Sequence, residues 1–119
     1  MYSGTHHVVY QSDAPLPTAA EPRADGRPTL VWFSAVGCPV CERMAPFAHE
    51  TASGYTDRLV FVEKSVDEDR SSTNPYGVSG TPTFIMLYVA GSEVKRFHGQ
   101  RDANSFGLQI KQVLEALGS

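Results

Sequence analysis

The chain has 119 residues, with ten Lys and Arg against thirteen Asp and Glu for a formal charge of -3. Hydrophobic residues make up 41% and charged residues 19%, an ordinary globular balance for one domain with its own core. The mild acidity argues against a nucleic-acid partner or a membrane-surface field, and no apolar run approaches the length of a membrane span. No basic start leads into an apolar stretch, so a secretory leader is not expected. The compartment stays open: cytoplasmic, or extracytoplasmic if the N-terminus has been trimmed.

Residues 1–28 differ in composition from the rest and are expected to be an N-terminal extension or linker. Within them His6 to Gln11 (HHVVYQ) suit a short edge strand, while Asp13 to Pro28, rich in Pro, Ala and charge, read as coil. A single domain is expected over residues 29–119. Thr29 to Ala35 (TLVWFSA) is a short apolar run before Gly37, the pattern of a strand buried on both faces. A helix follows from about Pro39 to Ser53, with Met44, Ala45, Ala48 and Ala52 at helical spacing and Pro46 inside it as a source of a kink. Arg58 to Val66 read as a second strand, Asp67 to Gly80 as polar chain with one short helix, and Thr83 to Val89 as a third strand. Ala90-Gly91-Ser92 form a turn into Glu93 to His98, the hairpin partner. The last helix starts at an Asp102 cap, carries Phe106, Ile110, Val113, Leu114 and Leu117 as an apolar stripe, and can end at Gly118. The alternating start predicts a parallel strand pair with a crossover helix, and the final hairpin must be antiparallel. The expected class is α/β: a mixed central sheet with helices on both faces.

Both cysteines, Cys38 and Cys41, lie in VWFSAVGCPVCERMAPF (Val31 to Phe47), separated only by Pro39 and Val40. They could be half of a metal site, a structural staple, or a pair of reacting thiols. A closed zinc site needs four ligands, and His6, His7, His49 and His98 are scattered with no second ligand pair. A disulfide closing so short a loop adds little stability, and a core of this size does not need one. The reactive reading fits the place. Cys38 stands where a strand ends and a helix begins, where free N–H groups and the positive end of the helix dipole stabilise a thiolate. Cysteines of such C-x-x-C pairs reach pKa values of roughly 3.5 to 7.5, against about 8.5 for a free thiol. Pro39 suits the first helical turn, and Cys41 lies on the same helical face, within reach of Cys38.

These residues resemble the thioredoxin superfamily over roughly Thr29 to Leu117. The resemblance rests on CPVC at a strand-to-helix junction, on Pro46 inside the following helix, and on GTPTF (Gly80 to Phe84), whose Pro82 matches the family's cis-proline. The Gly91 turn and Gly99, leading into the final amphipathic helix, complete it. It implies a thioredoxin fold and a thiol–disulfide oxidoreductase that exchanges its dithiol with protein thiols and disulfides. Cys38 would attack, Cys41 would resolve the mixed disulfide, and the electrons would pass to or from another dithiol protein. It also implies that Thr81 and Pro82 pack against the cysteines and that the Thr81 backbone pairs with an extended substrate segment. No cofactor and no metal are expected, and the protein is expected to act as a monomer. An adaptor module with incidental cysteines and a structural disulfide in a secreted domain are the alternatives.

Three departures from the family pattern bear on the site. Gly37 stands where thioredoxins usually carry Trp. Pro39-Val40 replace Gly-Pro, with proline first as in glutaredoxins and bacterial periplasmic disulfide oxidases, although no matching set of glutathione-binding residues is seen. Gly37, Pro39 and Val40 are therefore expected to face the substrate and bear on partner choice. Trp32 replaces the family's buried aspartate, six residues before the first cysteine. Glu63, aligned to the neighbouring strand, is the expected substitute as the base that deprotonates Cys41. The alternatives for Glu63 are an ordinary solvent-facing carboxylate, or one paired with Lys64 or Arg96.

Overall fold

A computed structural model describes residues 15–55, 57–98 and 102–117. The expected strand at His6 to Gln11, Gly99 and the helix-ending Gly118 lie outside the described residues. The elements run β1 (Thr29–Ser34), α1 (Pro39–Ser53), β2 (Val60–Ser65), α2 (Arg70–Thr73), a 3₁₀ turn (Asn74–Tyr76), β3 (Thr83–Leu87), β4 (Glu93–His98) and α3 (Ala103–Ala116). The sheet order is β2-β1-β3-β4, with β1 and β2 parallel and the other two pairs antiparallel. This is the mixed sheet that the order of apolar runs implies. The β1–α1–β2 crossover returns in the same direction and the short turn before β4 reverses the chain, while the connection through α2 brings β3 back antiparallel to β1.

β2 and β3 are shorter than their runs suggest, and local hydrogen bonds show why. The N–H groups of Arg58 and Leu59 both donate to the Tyr55 carbonyl at the end of α1, so the ladder opens only at Val60. At the end of β3, Tyr88 N donates to Ser92 O and Gly91 N to Tyr88 O, which takes the chain into the turn before Val89. Gly91 has φ +93°, and a side chain there would run into the Pro17 carbonyl, so the turn and the extended segment crossing beside it both require glycine. The Asp102 carboxylate accepts from Ser105 N at 2.7 Å and caps α3 as its sequence implies.

β1 and β3 are buried along their whole length, as expected of central strands covered on both faces. On one face Leu30, Trp32, Phe61, Phe84, Met86 and Phe97 meet Cys41, Met44, Ala48 and Ala52 of α1 and Phe106, Ile110, Val113 and Leu114 of α3. On the other face Val31, Phe33, Ile85 and Leu87 are covered by Leu16, Val66, Tyr76 and Val78. The two long helices therefore share one face. The second is closed by the extended residues near Leu16 and by the turn that follows the short α2. Irregular chain across this face is held by specific bonds, among them Arg23 N to Val89 O at 2.9 Å.

The helical face of the sheet carries an aromatic row with one ring from each strand. Phe61 of β2 stacks on Trp32 of β1 (6.2 Å), Trp32 on Phe84 of β3 (5.7 Å), and Phe84 on Phe97 of β4 (5.2 Å). From above, Phe106 of α3 tilts onto Phe84 at 4.8 Å, and His49 of α1 stands edge-on to Trp32 at 5.7 Å. Each such pair adds roughly 0.5–1.5 kcal/mol beyond the area it buries. Trp32 is the second ring of this row and is fully buried, which gives its presence in β1 a packing reason.

Candidate active site

The strand-to-helix junction is built tightly. β1 ends at Ser34, and the chain turns through exposed Val36 and Gly37. Gly37 has φ +71° and open space around its α-carbon, so the backbone conformation itself demands glycine here. The turn is tied to the loop after β2: Val36 N donates to Asp67 Oδ2 at 2.8 Å, and Val66 N donates to Ser34 O at 2.8 Å. Cys38 then occupies the N-cap of α1 in an extended conformation, with Pro39 at the first helical position.

Cys38 and Cys41 form a disulfide with their α-carbons 5.2 Å apart. Their surroundings differ. Cys41 is 5% exposed and belongs to the core cluster beneath α1, while Cys38 is half-buried at the rim. The Cys38 Sγ accepts from Cys41 N, an N–H of the helix's first turn, at 3.2 Å. Thr81, 43 residues away in sequence, brings its hydroxyl to 3.7 Å from the same sulfur. The Thr81–Pro82 peptide bond is cis, and Pro82 is buried as the chain enters β3. Pro39 is exposed and Val40 half-buried against the core, while Val36 is 70% exposed beside them.

β2 pairs with β1 so that Glu63 lies opposite Trp32. Strand alternation puts it on the same face as Phe61, the face that carries α1 and Cys41. Glu63 is half-buried and accepts a short hydrogen bond of 2.5 Å from the Ser34 hydroxyl, and burial pushes its carboxyl above the ordinary range. The cations named as its alternative partners are engaged elsewhere. Lys64 pairs with Asp69 at 3.1 Å, and Arg96 pairs with Glu93 at 2.7 Å. Burial also lowers the pKa of His49, which stands over Trp32 and Phe61. Among the described residues there is no group of three or more His, Cys, Asp and Glu side chains that could hold a metal ion.

Sequence reasoning missed Ser34 and Asp67 as members of this site. Ser34 is the polar residue that ends the buried run of β1, and its place in that run was the available signal. Asp67 closes the stretch EKSVD, where an acid just beyond a strand end is a common turn residue and gives no hint of the N–H it holds.

The thioredoxin family model matches residues 20–112, most of the chain. The chain is 33% identical over 89 residues to a thioredoxin of Alicyclobacillus acidocaldarius, covering 75% of this chain and 84% of that one. It is 35% identical over 107 residues to a thiol:disulfide interchange protein TxlA homolog of Synechocystis, covering 88% of this chain and 53% of the relative's length. Among solved structures, a thioredoxin variant from Halobacterium salinarum superposes with a TM-score of 0.70 at 20% identity, covering 96% of each chain; this likeness bears on the fold. The chain belongs to the thioredoxin family. With the Cys38–Cys41 pair at its helix N-terminus, it is a thiol–disulfide oxidoreductase.

Proposed function

We propose that Cys38 is the attacking thiol and Cys41 the resolving one. The unequal burial of the two sulfurs carries this assignment: only Cys38 reaches the rim where a partner's disulfide could approach in line. In the reducing direction the Cys38 thiolate attacks one sulfur of the partner's disulfide. The partner's other sulfur leaves as a thiolate and takes up a proton. Cys41 then loses its proton and attacks the Cys38 sulfur, forming the Cys38–Cys41 disulfide and releasing the partner's second thiol. Two electrons and two protons pass from the protein's dithiol to the partner, and a second dithiol protein restores it. The protein's own residues suffice, with no added cofactor, and one copy of the chain is enough.

Glu63 is the proton acceptor for Cys41 in this scheme. Its half-buried carboxylate on the α1 side of the sheet and its raised pKa are what a base working near neutral pH requires. The Ser34 hydroxyl holds the carboxylate in place. The substrate segment lies extended along the backbone at Thr81 and Pro82, and Gly37, Pro39 and Val40 present the docking surface around the sulfur. Residues 29–119 are the catalytic unit, with residues 1–28 as an extension to it. No helix among the described residues is long and apolar enough to cross a membrane.

Insulin reduction by the parent protein beside Cys38→Ser tests the activity, and the Cys41→Ser variant tests the division of roles. Cys41→Ser should accumulate mixed disulfides through Cys38, visible as mass adducts on that peptide. Adducts trapped on Cys41 by Cys38→Ser, with none from Cys41→Ser, would reverse the assignment.

A further inference from the structure

The segment that receives the substrate strand, Gly80-Thr81-Pro82, is short and begins with glycine. Gly80 is exposed, and a side chain at its α-carbon would meet nothing within 4 Å, so no packed neighbour confines it there. Glycine also has more backbone freedom to lose than any other residue, so a segment that starts with it needs an outside restraint to keep one shape. That restraint comes from β3. The Thr83 hydroxyl donates to the Gly80 carbonyl at 2.6 Å and closes the segment into a ring of side chain and main chain. Thr83 is itself held firmly. It is the first residue of β3, is 3% exposed, and lies between Phe33 of β1 and His98 of β4 in the sheet. Strand alternation puts its side chain on the face of Ile85 and Leu87, away from the face that carries Cys41.

We propose that Thr83 is a positioning residue for protein substrates: its hydroxyl fixes the Gly80 carbonyl so that the Thr81 backbone is presented in a shape that an extended partner strand can pair with. The inference rests on substrate docking at Thr81 and Pro82, and it assigns part of the affinity for extended protein substrates to a buried side chain that touches no substrate. Strand addition draws its affinity from main-chain hydrogen bonds, and these form at little cost only when donor and acceptor are already spaced for them. A segment that had to be ordered at each encounter would lose part of that affinity to conformational entropy. The chemistry at sulfur is set elsewhere, because Cys38 and Cys41 are placed by the first turn of α1. A disulfide with no peptide backbone should therefore be indifferent to Thr83, while a protein disulfide should not.

Thr83→Val keeps the branched shape and removes the donor, Thr83→Ser keeps the donor, and Thr83→Ala removes it without added bulk should the valine variant fold poorly. Each full-length protein is assayed for insulin reduction over a range of insulin concentrations, and the reduced form is reacted separately with the symmetric disulfide of thionitrobenzoate, which has no backbone to pair. Thr83→Val and Thr83→Ala should raise the KM for insulin about fivefold, the size of one neutral hydrogen bond, with kcat close to the parent's. Both should react with the small disulfide at the parent's rate, and Thr83→Ser should resemble the parent in both assays. A parent-like KM in both donor-less variants would overturn the inference, and so would a Thr83→Ser defect as large as theirs. Equal losses with insulin and with the small disulfide would show a merely structural role and overturn it too. A parent protein that reacts with the small disulfide but never saturates with insulin would sink the docking reading, and the inference with it.

Discussion

Replacing Glu63 with Gln removes a charge and a proton acceptor while keeping the shape of the side chain and an oxygen for the Ser34 hydroxyl. Cys41 is 5% exposed and lies in the core beneath α1, so bulk water is a poor substitute for a positioned base. General bases contribute roughly 10²–10⁴-fold. The Glu63 carboxylate is only half-buried and is shared with Ser34, so resolution should slow by no more than the bottom of that range, about tenfold to a hundredfold near neutral pH. The assay starts from a mixed disulfide between Cys38 and thionitrobenzoate and follows release of the coloured thiolate over about pH 5 to 9. In the parent, burial raises the Glu63 pKa above its ordinary value of 4.5, so the rate should climb with pH in a step displaced upward from the usual carboxylate range. Glu63→Gln should lose that step and keep only the rise due to direct ionisation of Cys41. Ser34→Ala removes a donor that favours the ionised carboxylate, so its step should move to still higher pH. Equal resolution rates for Glu63→Gln and the parent at every pH would show that Glu63 is not the base. A Ser34→Ala step displaced to lower pH would refute the hydrogen-bond argument.

The packing around the site yields three further expectations. Trp32→Ala leaves a cavity in the middle of the aromatic row and should cost about 3–5 kcal/mol. Trp32→Phe keeps a ring there and deletes a buried Nε1–H that has no hydrogen-bond partner among the described residues, so chemical denaturation should show it to be far milder. Gly37→Ala places a side chain at φ +71° with no steric neighbour, so the cost is that of the backbone alone, about 1–2 kcal/mol by the same measurement. Burial depresses the His49 pKa below 6.5, so the stability His49 contributes is present above its unfolded pKa and is lost as pH falls through the lower folded value. Glu63 has the opposite sign: its raised pKa favours the fold at low pH, and that contribution is lost as pH rises from 4.5 through the folded value. Thermal melts should therefore show His49→Leu flattening the fall in stability on the acid side of 6.5 and Glu63→Gln flattening the fall on the alkaline side of 4.5, and a profile unchanged in either variant would contradict the burial that the structure assigns to that group.

The local part of this design was readable in the chain itself. A buried strand, a glycine, a cysteine and a proline in that order specify a strand-to-helix junction with a thiol at the helix N-cap, because capping and the spacing of Cys38 and Cys41 involve only neighbouring residues. The start of α3 at Asp102, the Gly91 turn and the strand order of the hairpin were legible for the same reason. What lay beyond reach was set by lateral register and by burial. Whether Glu63 faced solvent, Lys64 or Arg96 depended on how β2 slides along β1, and a shift of one residue would have turned it to the opposite face. Its partner Ser34 is 29 residues away in sequence, and the Thr81 hydroxyl is 43 from Cys38. Trp32 read as a missing acid in the sequence; the folded sheet makes it one ring of a row to which each strand adds one. The sequence by itself determined that the two thiols sit together at a helix N-terminus, since capping and a two-residue spacing act locally; only the tertiary structure decided which groups surround them, since those arrive from separate strands that the packed sheet alone brings together.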